Sequence, residues 1–403
     1  MLMHAAQSIA DFIPQDRIDS VNQVVGEAQG LPPIIYTSQD YFDFEQRKLF
    51  HAGWMGVCFA HQIPDPGDAL PLSVAGIPVI VVRGKAGDLR AFHNVCRHRG
   101  TKVLLEPKKA VTQFRCIYHS WTYDIDGELL TTPFWDSEKA GKPPPVSNAI
   151  DRVENGLVPI RCDVLWDVVY LDISGKAPPL KDNFAAAVDD WGRYDWDGLT
   201  ATVTDEQTSN CNWKLGVEGL LDFYHEPFIH PQLRWRHPDH PGLAPYPNNI
   251  VEECFIELQD KSIWLATDWV VGHRQTGWPE GLEPVSETPA FDHRSYIMTL
   301  FPNVAMGVLS DHTVTLMWLP LAPDKTVLKA AVYFPGDHPA DPETEQKREQ
   351  AAEFWGQIND QDVMATEAQQ EARHSVVSDD TKFCSFGEEM VHYFQQLYVR
   401  EME

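Results

Sequence analysis

The sequence predicts an α+β fold in a chain of 403 residues. From Trp54 to about Pro159, alternating apolar segments are separated by Gly, Asp and Pro turns, which is typical of a small all-β domain. Later strand-like segments are followed by two helical stretches, the order expected of an α+β domain. The strand-like segments are 251–258, 262–269, 295–301, 313–321 and 326–334, and the helical stretches are 343–372 and 386–400.

We divide the chain into three parts on these patterns. Residues 40–50 have the apolar spacing of a short amphipathic helix, within an N-terminal segment, 1–51, that we expect to pack on the last domain. The all-β domain takes 52–160. The apolar run 165–173 predicts a buried strand that opens the last domain, 161–403.

Composition excludes several classes of function. The formal net charge of −27 would repel a phosphate backbone, so we expect no nucleic-acid partner. The N-terminus lacks a signal-peptide pattern and no apolar run approaches the ~20 residues of a membrane helix, so we expect a cytoplasmic protein that does not bind membranes. Seven cysteines, an odd number, favour a reducing compartment.

Two Cys-His pairs stand out within the all-β region. Cys96-x-His98 and Cys116-x2-His119 each combine a thiol with an imidazole. A Rieske [2Fe-2S] centre needs this mixture, because neutral imidazoles on one iron lower the negative charge of the cluster and raise its reduction potential. Zinc is the weaker interpretation, because structural zinc sites usually group their cysteines apart from their histidines.

The residues around these pairs are basic in an otherwise acidic protein. A basic face would steer an acidic electron donor towards the cluster, and a solvated surface without a partner is the alternative. Between residues 90 and 115 a single acid, Glu106, stands against seven basic residues: Arg90, Arg97, Arg99, Lys102, Lys108, Lys109 and Arg115.

A second constellation lies between residues 212 and 230. As one continuous helix, it would place Glu218, Asp222 and His225 on one face. We expect Pro227 to end this helix and to let His230 approach His225. Two histidines and one carboxylate form the facial arrangement that holds non-haem Fe(II), and a structural hydrogen-bond cluster is the alternative.

The late helix offers three acids as the third ligand: Asp360, Asp362 and Glu367. Spacing alone does not choose among them, and solvated side chains are the alternative for all three.

Together these motifs resemble the catalytic (alpha) subunits of Rieske non-haem iron oxygenases, the ring-hydroxylating oxygenase family. The resemblance runs from about residue 40 to the late helix and also includes Asn212-Trp213-Lys214 and Asp222-x2-His225-x4-His230. On the late helix the family has an acid, then Glu five positions on, then Gln three further on. Asp362, Glu367 and Gln370 match this pattern, which implies Asp362 as the iron ligand. The family often has Asn where this chain has Gly219.

The resemblance implies a Rieske domain and a helix-grip (START-like) antiparallel-sheet domain that holds a mononuclear Fe(II) through His225, His230 and Asp362. It implies a homotrimer, or a multiple of one, in which Asp222 bridges a Rieske histidine of one subunit and an iron-bound histidine of its neighbour. Electrons would come from NAD(P)H through a separate ferredoxin or flavin reductase, since the chain lacks a G-x-G-x-x-G nucleotide fingerprint.

The implied function is that of a terminal oxygenase that hydroxylates, dihydroxylates or oxidatively demethylates a small substrate. Quaternary-amine members of the family tend to carry Glu at the position of Asp222, which favours an aromatic substrate. A quaternary amine or betaine is the alternative, because 301–306 and 386–394 resemble that branch. Two other classes are a Rieske electron carrier, which needs only the first motif, and a ligand-binding protein, which needs no metal.

Overall fold

The computed structural model of the chain describes residues 8–135, 150–192, 194–233, 254–259, 261–267, 285, 295–309, 311–337, 341–385 and 387–403. The chain forms two compact units. The smaller unit is Phe50–Leu180, and the larger unit combines the segment up to Leu49 with Lys181–Glu403. No helix of the described residues has the length and apolar character required to cross a membrane.

The smaller unit contains two antiparallel sheets. The six-stranded sheet has the order β1-β9-β8-β4-β3-β2, and β5, β6 and β7 form the other sheet. Apolar residues of both sheets form one shared buried core, which includes Ile80, Phe92, Phe114 and Tyr123. The strands are β1 (Trp54–Phe59), β2 (Ala69–Val74), β3 (Ile77–Arg83), β4 (Leu89–His93), β5 (Gln113–Arg115), β6 (Thr122–Asp124), β7 (Leu129–Thr131), β8 (Pro159–Leu165) and β9 (Val168–Asp172).

The apolar run 165–173 does not open the larger unit. Its strand, β9, pairs with β1 through Trp54 and Asp172 and with β8 through Leu165 and Val168. It therefore completes the six-stranded sheet, and the smaller unit continues to Leu180, beyond the boundary expected at 160. A buried strand has the same apolar pattern in either domain, and the partner that decides its place, β1, is distant in sequence.

The larger unit is built on an antiparallel sheet of order β10-β16-β15-β14-β13-β12-β11. Its strands are β10 (Leu199–Ser209), β11 (Cys254–Gln259), β12 (Ser262–Thr267), β13 (Ser295–Leu300), β14 (Val304–Val308), β15 (Thr313–Ala322) and β16 (Lys325–Pro335). The late strands and both late helices agree with the expected segments, and the α+β fold class is confirmed. The expected positions 251–253, 268, 269 and 386 lie outside the described residues.

Nine helices of the described residues accompany the sheets: α1 (Gln15–Val21), α2 (Ile34–Thr37), α3 (Gln39–Glu45), α4 (Leu180–Asn183), α5 (Ala185–Trp191), α6 (Trp213–Leu221), α7 (Glu226–Ile229), α8 (Pro342–Ala372) and α9 (Glu389–Met402). A π-helical turn, Gln46–Phe50, continues α3, and short 3-10 turns occur at Ile9–Asp11, Ala60–Gln62, Pro231–Leu233 and Val376–Asp379.

The long helix α8 packs on one face of this sheet. It begins at Pro342, where the Asp341 side chain accepts hydrogen bonds from the first turn. Phe354 and Ile358 of α8 are buried in one cluster with Val314 and Val332 of the sheet. This packing fixes the axis of the helix that carries the late acids.

The N-terminal segment anchors α6 within the larger unit. The Nζ atom of Lys214 lies 2.6 Å from Glu45 Oε1, and both side chains are fully buried. Trp213 Nε1 donates to Glu45 Oε2 at 2.9 Å, and the Tyr398 hydroxyl of α9 also donates to this carboxylate. Loss of one partner of a buried ion pair costs about 3–5 kcal/mol, so the start of α6 is firmly held.

Candidate functional site

The two Cys-His pairs lie on two loops of the smaller unit with matching backbone hydrogen bonds. Cys96 N–H donates to the Thr101 carbonyl and Cys116 N–H donates to the Trp121 carbonyl, both at 2.8 Å. Each loop has a residue of positive φ four positions after its cysteine, at Gly100 (φ 76°) and Ser120 (φ 58°). The chain therefore uses one turn geometry twice to present a thiol and an imidazole.

The loops bring the four side chains into one region of the smaller unit. The rings of His98 and His119 have centroids 4.5 Å apart, and both cysteines are buried. Two thiols and two imidazoles in one region are the ligand set of a Rieske cluster, in which the cysteines hold one iron and the histidines the other.

The protonation states of these side chains also fit a metal cluster. Burial raises the pKa of Cys116, although hydrogen bonds from the backbone N–H groups of Tyr118 and His119 lower it. A bound metal would keep such a thiol deprotonated. Burial and the charges of His119 and Arg99 lower the pKa of His98, so its imidazole is neutral at pH 7. Its buried Nδ1 has no hydrogen-bond partner among the described residues, as expected of an atom reserved for a metal.

Tyr123 contacts the first cysteine and was not identified from the sequence. Its hydroxyl accepts the Arg97 N–H at 2.9 Å and lies 3.3 Å from Cys96 Sγ. A metal-bound Cys96 thiolate carries no proton, so the Tyr123 hydroxyl would be the donor in this contact. This bond would stabilise negative charge on the thiolate.

The basic face around the loops is smaller than the sequence suggests. Three of its seven basic residues pair with acids: Arg90 with Asp88, Lys108 with Glu106 and Lys109 with Asp68. Two of these acids precede the basic segment in sequence. Exposed basic residues without an acidic partner among the described residues are Arg97, Arg99, Lys102 and Arg115.

In the larger unit, His225, His230 and Asp362 converge on one point. His225 Nε2 lies 3.1 Å from His230 Nε2, and these two atoms lie 3.2 and 3.1 Å from Asp362 Oδ1. Neighbouring ligands of an octahedral metal at about 2.1 Å are separated by roughly 3 Å. The three donor atoms therefore have the spacing of one face of an octahedron around a single ion.

The two histidines flank the one-turn helix α7, which differs from the expected long helix. The helix α6 ends at Leu221, and Asp222 is its extended C-cap. His225 is the N-cap of α7 and His230 its C-cap, while Pro227 lies in the first turn of α7. Proline is tolerated there, so the chain leaves the axis of α6 at Asp222 rather than at Pro227.

Protonation couples the three side chains of this site. Burial lowers the pKa of His225, but the carboxylates of Asp222 and Asp362 beside its two ring nitrogens outweigh burial and raise the pKa to about 10. Burial also opposes the shifts of the other two groups. The contact with Asp362 nevertheless raises the pKa of His230, and the contacts with the two histidines lower the pKa of Asp362. A metal must displace a proton from such a site, because a coordinating imidazole is neutral.

The outward-facing nitrogens of the two histidines meet different side chains. His225 Nδ1 lies 3.5 Å from Asp222 Oδ2, while Asp222 Oδ1 accepts the N–H groups of Tyr224 and His225. His230 Nδ1 lies 2.8 Å from the Oε1 of Gln361, which the sequence did not identify. The Gln361 contact suits a nitrogen that carries a proton while the opposite nitrogen binds a metal, whereas Asp222 places a negative charge beside His225 Nδ1 without a hydrogen bond.

The other late acids lie outside this triad. Asp360 is exposed and accepts a hydrogen bond from Gln207 at 3.1 Å. Glu367 accepts the backbone and side-chain N–H groups of Asn210, and Gln370 accepts the backbone N–H of Asn212. These two residues thus hold the turn before α6 and do not reach the triad.

A cavity of about 290 Å³ adjoins Asp222 in the larger unit, and Glu218, Gly219, Arg373 and Glu388 contribute to its wall. A Cβ atom at Gly219 would meet only Thr366 Cγ2, at 3.6 Å. The glycine therefore leaves space where a larger side chain would fit.

Comparison with known families gives two matches. Residues 188–403, more than half of the chain, match the family described as ring hydroxylating alpha subunit (catalytic domain). Residues 53–144 match the Rieske [2Fe-2S] domain.

Individual proteins are similar over different shares of their length. The glycine betaine monooxygenase oxygenase subunit of Chromohalobacter salexigens is 27% identical over 89% of this chain and 83% of its own length. The anthranilate 1,2-dioxygenase large subunit of Burkholderia cepacia is 29% identical over 57% of this chain and 54% of its own length. The structure of naphthalene 1,2-dioxygenase from Rhodococcus sp. bound to indole has a TM-score of 0.77 at 18% identity and covers 96% of this chain and 97% of that chain.

Proposed function

Because the chain belongs to the family of ring-hydroxylating alpha subunits, we propose that it is the terminal oxygenase of a Rieske system and oxidises a small organic substrate with O2. The observation that carries this proposal is the set of His225, His230 and Asp362 donor atoms, 3.1–3.2 Å apart, in a chain that also has a Rieske domain. A pure electron carrier needs only the cluster, and a ligand-binding protein needs neither metal.

Cys96, His98, Cys116 and His119 would hold the cluster, and the triad would hold the mononuclear iron. Bound there, the iron supplies O2 activation on the face that the three protein ligands leave open. The chain provides a rigid frame for that face, with Asp362 on α8 and the two histidines at the ends of α7. Asp222 supports His225 at the nitrogen that points away from the iron.

Electrons would come from NAD(P)H through a separate ferredoxin or flavin reductase in the cytoplasm. We also infer a homotrimer in which Asp222 faces a Rieske histidine of the neighbouring subunit. Its side chain is 20% exposed, and Tyr224 and Phe228 beside it are exposed aromatic residues. Exposed aromatic side chains grouped beside a functional carboxylate support a protein interface there.

Two substrate classes have separate support. A quaternary amine is favoured because a relative that matches 89% of this chain is named for glycine betaine. An aromatic substrate, favoured by Asp222 in the sequence, has support from the relative named for anthranilate, of which the chain matches about half. N-demethylation of a betaine would release formaldehyde, whereas ring oxidation would not, so product analysis separates the two classes.

The test begins with iron and product analysis of the purified protein. We expect about three irons per chain, against two for a carrier and none for a binding protein. With a surrogate reductase, O2 uptake should be coupled to oxidation of glycine betaine or of an aromatic carboxylate. His98→Ala, which removes a cluster ligand, is the matched control and should abolish both the Rieske spectrum and turnover. A wild-type chain with two irons and no coupled O2 uptake would contradict the proposal.

A further inference from the structure

His230 is held at both of its ring nitrogens by consecutive residues of α8. Its Nε2 lies 3.1 Å from Asp362 Oδ1, and its Nδ1 lies 2.8 Å from Gln361 Oε1. Gln361 in turn forms a reciprocal amide pair with Gln232. Gln232 Nε2 donates to Gln361 Oε1 at 2.9 Å, and Gln361 Nε2 donates back to Gln232 Oε1 at 3.3 Å.

We propose that Gln361 is a positioning residue for the mononuclear iron, and that its amide pair with Gln232 fixes the tautomer and the ring orientation of His230. This inference rests on the proposed iron site. An imidazole that binds a metal through Nε2 carries its proton on Nδ1, and that proton needs an acceptor. Gln361 Oε1 provides it at hydrogen-bond distance. The His230 side chain is only 2% exposed, so bulk water is poorly placed to replace the amide.

The amide pair explains why the oxygen of Gln361, and not its nitrogen, faces the histidine. If the side-chain amide of Gln361 alone were flipped by 180°, its Oε1 would face Gln232 Oε1 and its Nε2 would face Gln232 Nε2, so both hydrogen bonds of the pair would be lost. The turned amide would also point N–H groups at Nδ1. His230 would then keep its proton on Nε2, where it blocks the metal.

The neutral amide has a second consequence for the charge of the site. His225 has a carboxylate, Asp222, beside its outer nitrogen, whereas His230 has an uncharged acceptor. The charges of Asp222 and Asp362 together balance one divalent ion. A carboxylate at position 361 would add a third negative charge and make His230 a stronger donor. Gln361 thus orients the imidazole without changing this balance.

The experiment compares Fe(II) binding in the full-length protein with a filled Rieske cluster. Anaerobic competition with a colorimetric chelator gives the affinity of the mononuclear site, and the Rieske absorbance confirms that the smaller unit is intact. Gln361→Leu should lose about 10–100-fold in Fe(II) affinity, the usual effect of removing an outer partner of a ligand histidine. Gln361→Glu retains an acceptor and should stay within a few-fold of the wild type. Gln357→Leu, at an exposed glutamine one turn earlier on α8, is the matched control and should have no effect.

A spectroscopic readout separates positioning from a general loss of stability. Co(II) bound in place of iron has visible bands that depend on ligand geometry. We expect these bands to change in Gln361→Leu and to be restored in Gln361→Glu. Gln232→Leu keeps the acceptor but removes its partner, so it should fall between the wild type and Gln361→Leu, and it replaces that variant if Gln361→Leu does not fold.

Each outcome decides one of the two proposals. A wild-type chain that binds no third iron overturns the proposed function. A wild type that binds iron, with Gln361→Leu binding equally well and having the same Co(II) bands, overturns the positioning role and leaves the proposed function intact. Equal losses in Gln361→Leu and Gln361→Glu also overturn it, because the acceptor would then not be what matters.

Discussion

Replacement of Tyr123 by Phe tests whether a single hydroxyl tunes the Rieske cluster. The hydroxyl accepts the Arg97 N–H and lies 3.3 Å from Cys96 Sγ, and it would donate its own proton to that sulfur when Cys96 is a metal-bound thiolate. Burial, followed by the hydrogen bond with Cys96, raises the pKa of Tyr123, so the hydroxyl keeps its proton at any working pH. Tyr123→Phe removes this donor and retains the buried ring.

The expected shift follows from the energy of one hydrogen bond to a charged sulfur. Such a bond contributes about 1.5–3 kcal/mol, and most of it is present in both oxidation states of the cluster. Reduction adds negative charge and strengthens the bond, and we take the difference between the states as about 1 kcal/mol. A one-electron couple shifts by about 59 mV for each 1.4 kcal/mol, so the reduction potential should fall by roughly 40 mV.

The assay is a redox titration at fixed pH, monitored through the visible circular dichroism of the cluster. Tyr118→Phe is the matched control, because Tyr118 is exposed and its ring lies beside His119. We expect that control to change the potential by less than about 10 mV. A Tyr123→Phe potential that equals the wild-type value, or one that rises, would refute the reasoning.

Asp362→Ala should lose the mononuclear iron and keep the Rieske spectrum, whereas Asp360→Ala should keep both; reversed metal analyses would make Asp360 the ligand. Asp222→Asn should keep both metal centres but fail to couple cluster reoxidation to product in a single turnover with bound substrate. Normal coupling would exclude the bridging role, and loss of iron would make Asp222 a structural support. Gly216→Ala should destabilise the larger unit by about 1–3 kcal/mol in denaturant unfolding, because the new Cβ would collide with a buried indole. Gly219→Ala, which has space for a methyl group, should stabilise it by about 0.5–1 kcal/mol, and equal effects of the two substitutions would contradict this steric reasoning.

The sequence predicts strands well where their burial pattern is local. The expected segment 326–334 became β16 (Lys325–Pro335), because a short apolar run rich in Val, Tyr and Phe identifies a buried strand without knowledge of its partners. The pattern does not say which sheet a strand joins. β9 was assigned to the wrong unit for this reason, since only its pairing with β1 decides its place.

The ends of short helices were harder to predict than the side chains that they bring together. Proline at position 227 was taken as a helix breaker, yet it lies in the first turn of α7, where it has no hydrogen bond to lose. The break is at Asp222, whose carboxylate accepts the next two available N–H groups and competes with helix continuation. The prediction that His230 approaches His225 was therefore correct, but the break in the helix that allows it is at Asp222 and not at Pro227.

Charge patterns are similarly incomplete without the fold. A count over residues 90–115 finds one acid, but Asp88, just before this segment, pairs with Arg90, and Asp68, more distant in sequence, pairs with Lys109. These pairs remove Arg90 and Lys109 from the surface that could attract an acidic donor. Long-range attraction depends on net local charge, so any steering of a reductase should depend mainly on the residues nearest the two loops.

The partners of the ligands are the least predictable part of the site. Glutamine on a helix is usually solvated, and nothing in the spacing marks Gln361. Consecutive helical residues point about 100° apart, so Asp362 and Gln361 would not be expected to serve the same group. They do so because His230 offers a nitrogen on each side of its ring, and each side chain reaches one of them. The role of Gln361 therefore becomes visible only once the structure places the His230 ring between Gln361 and Asp362.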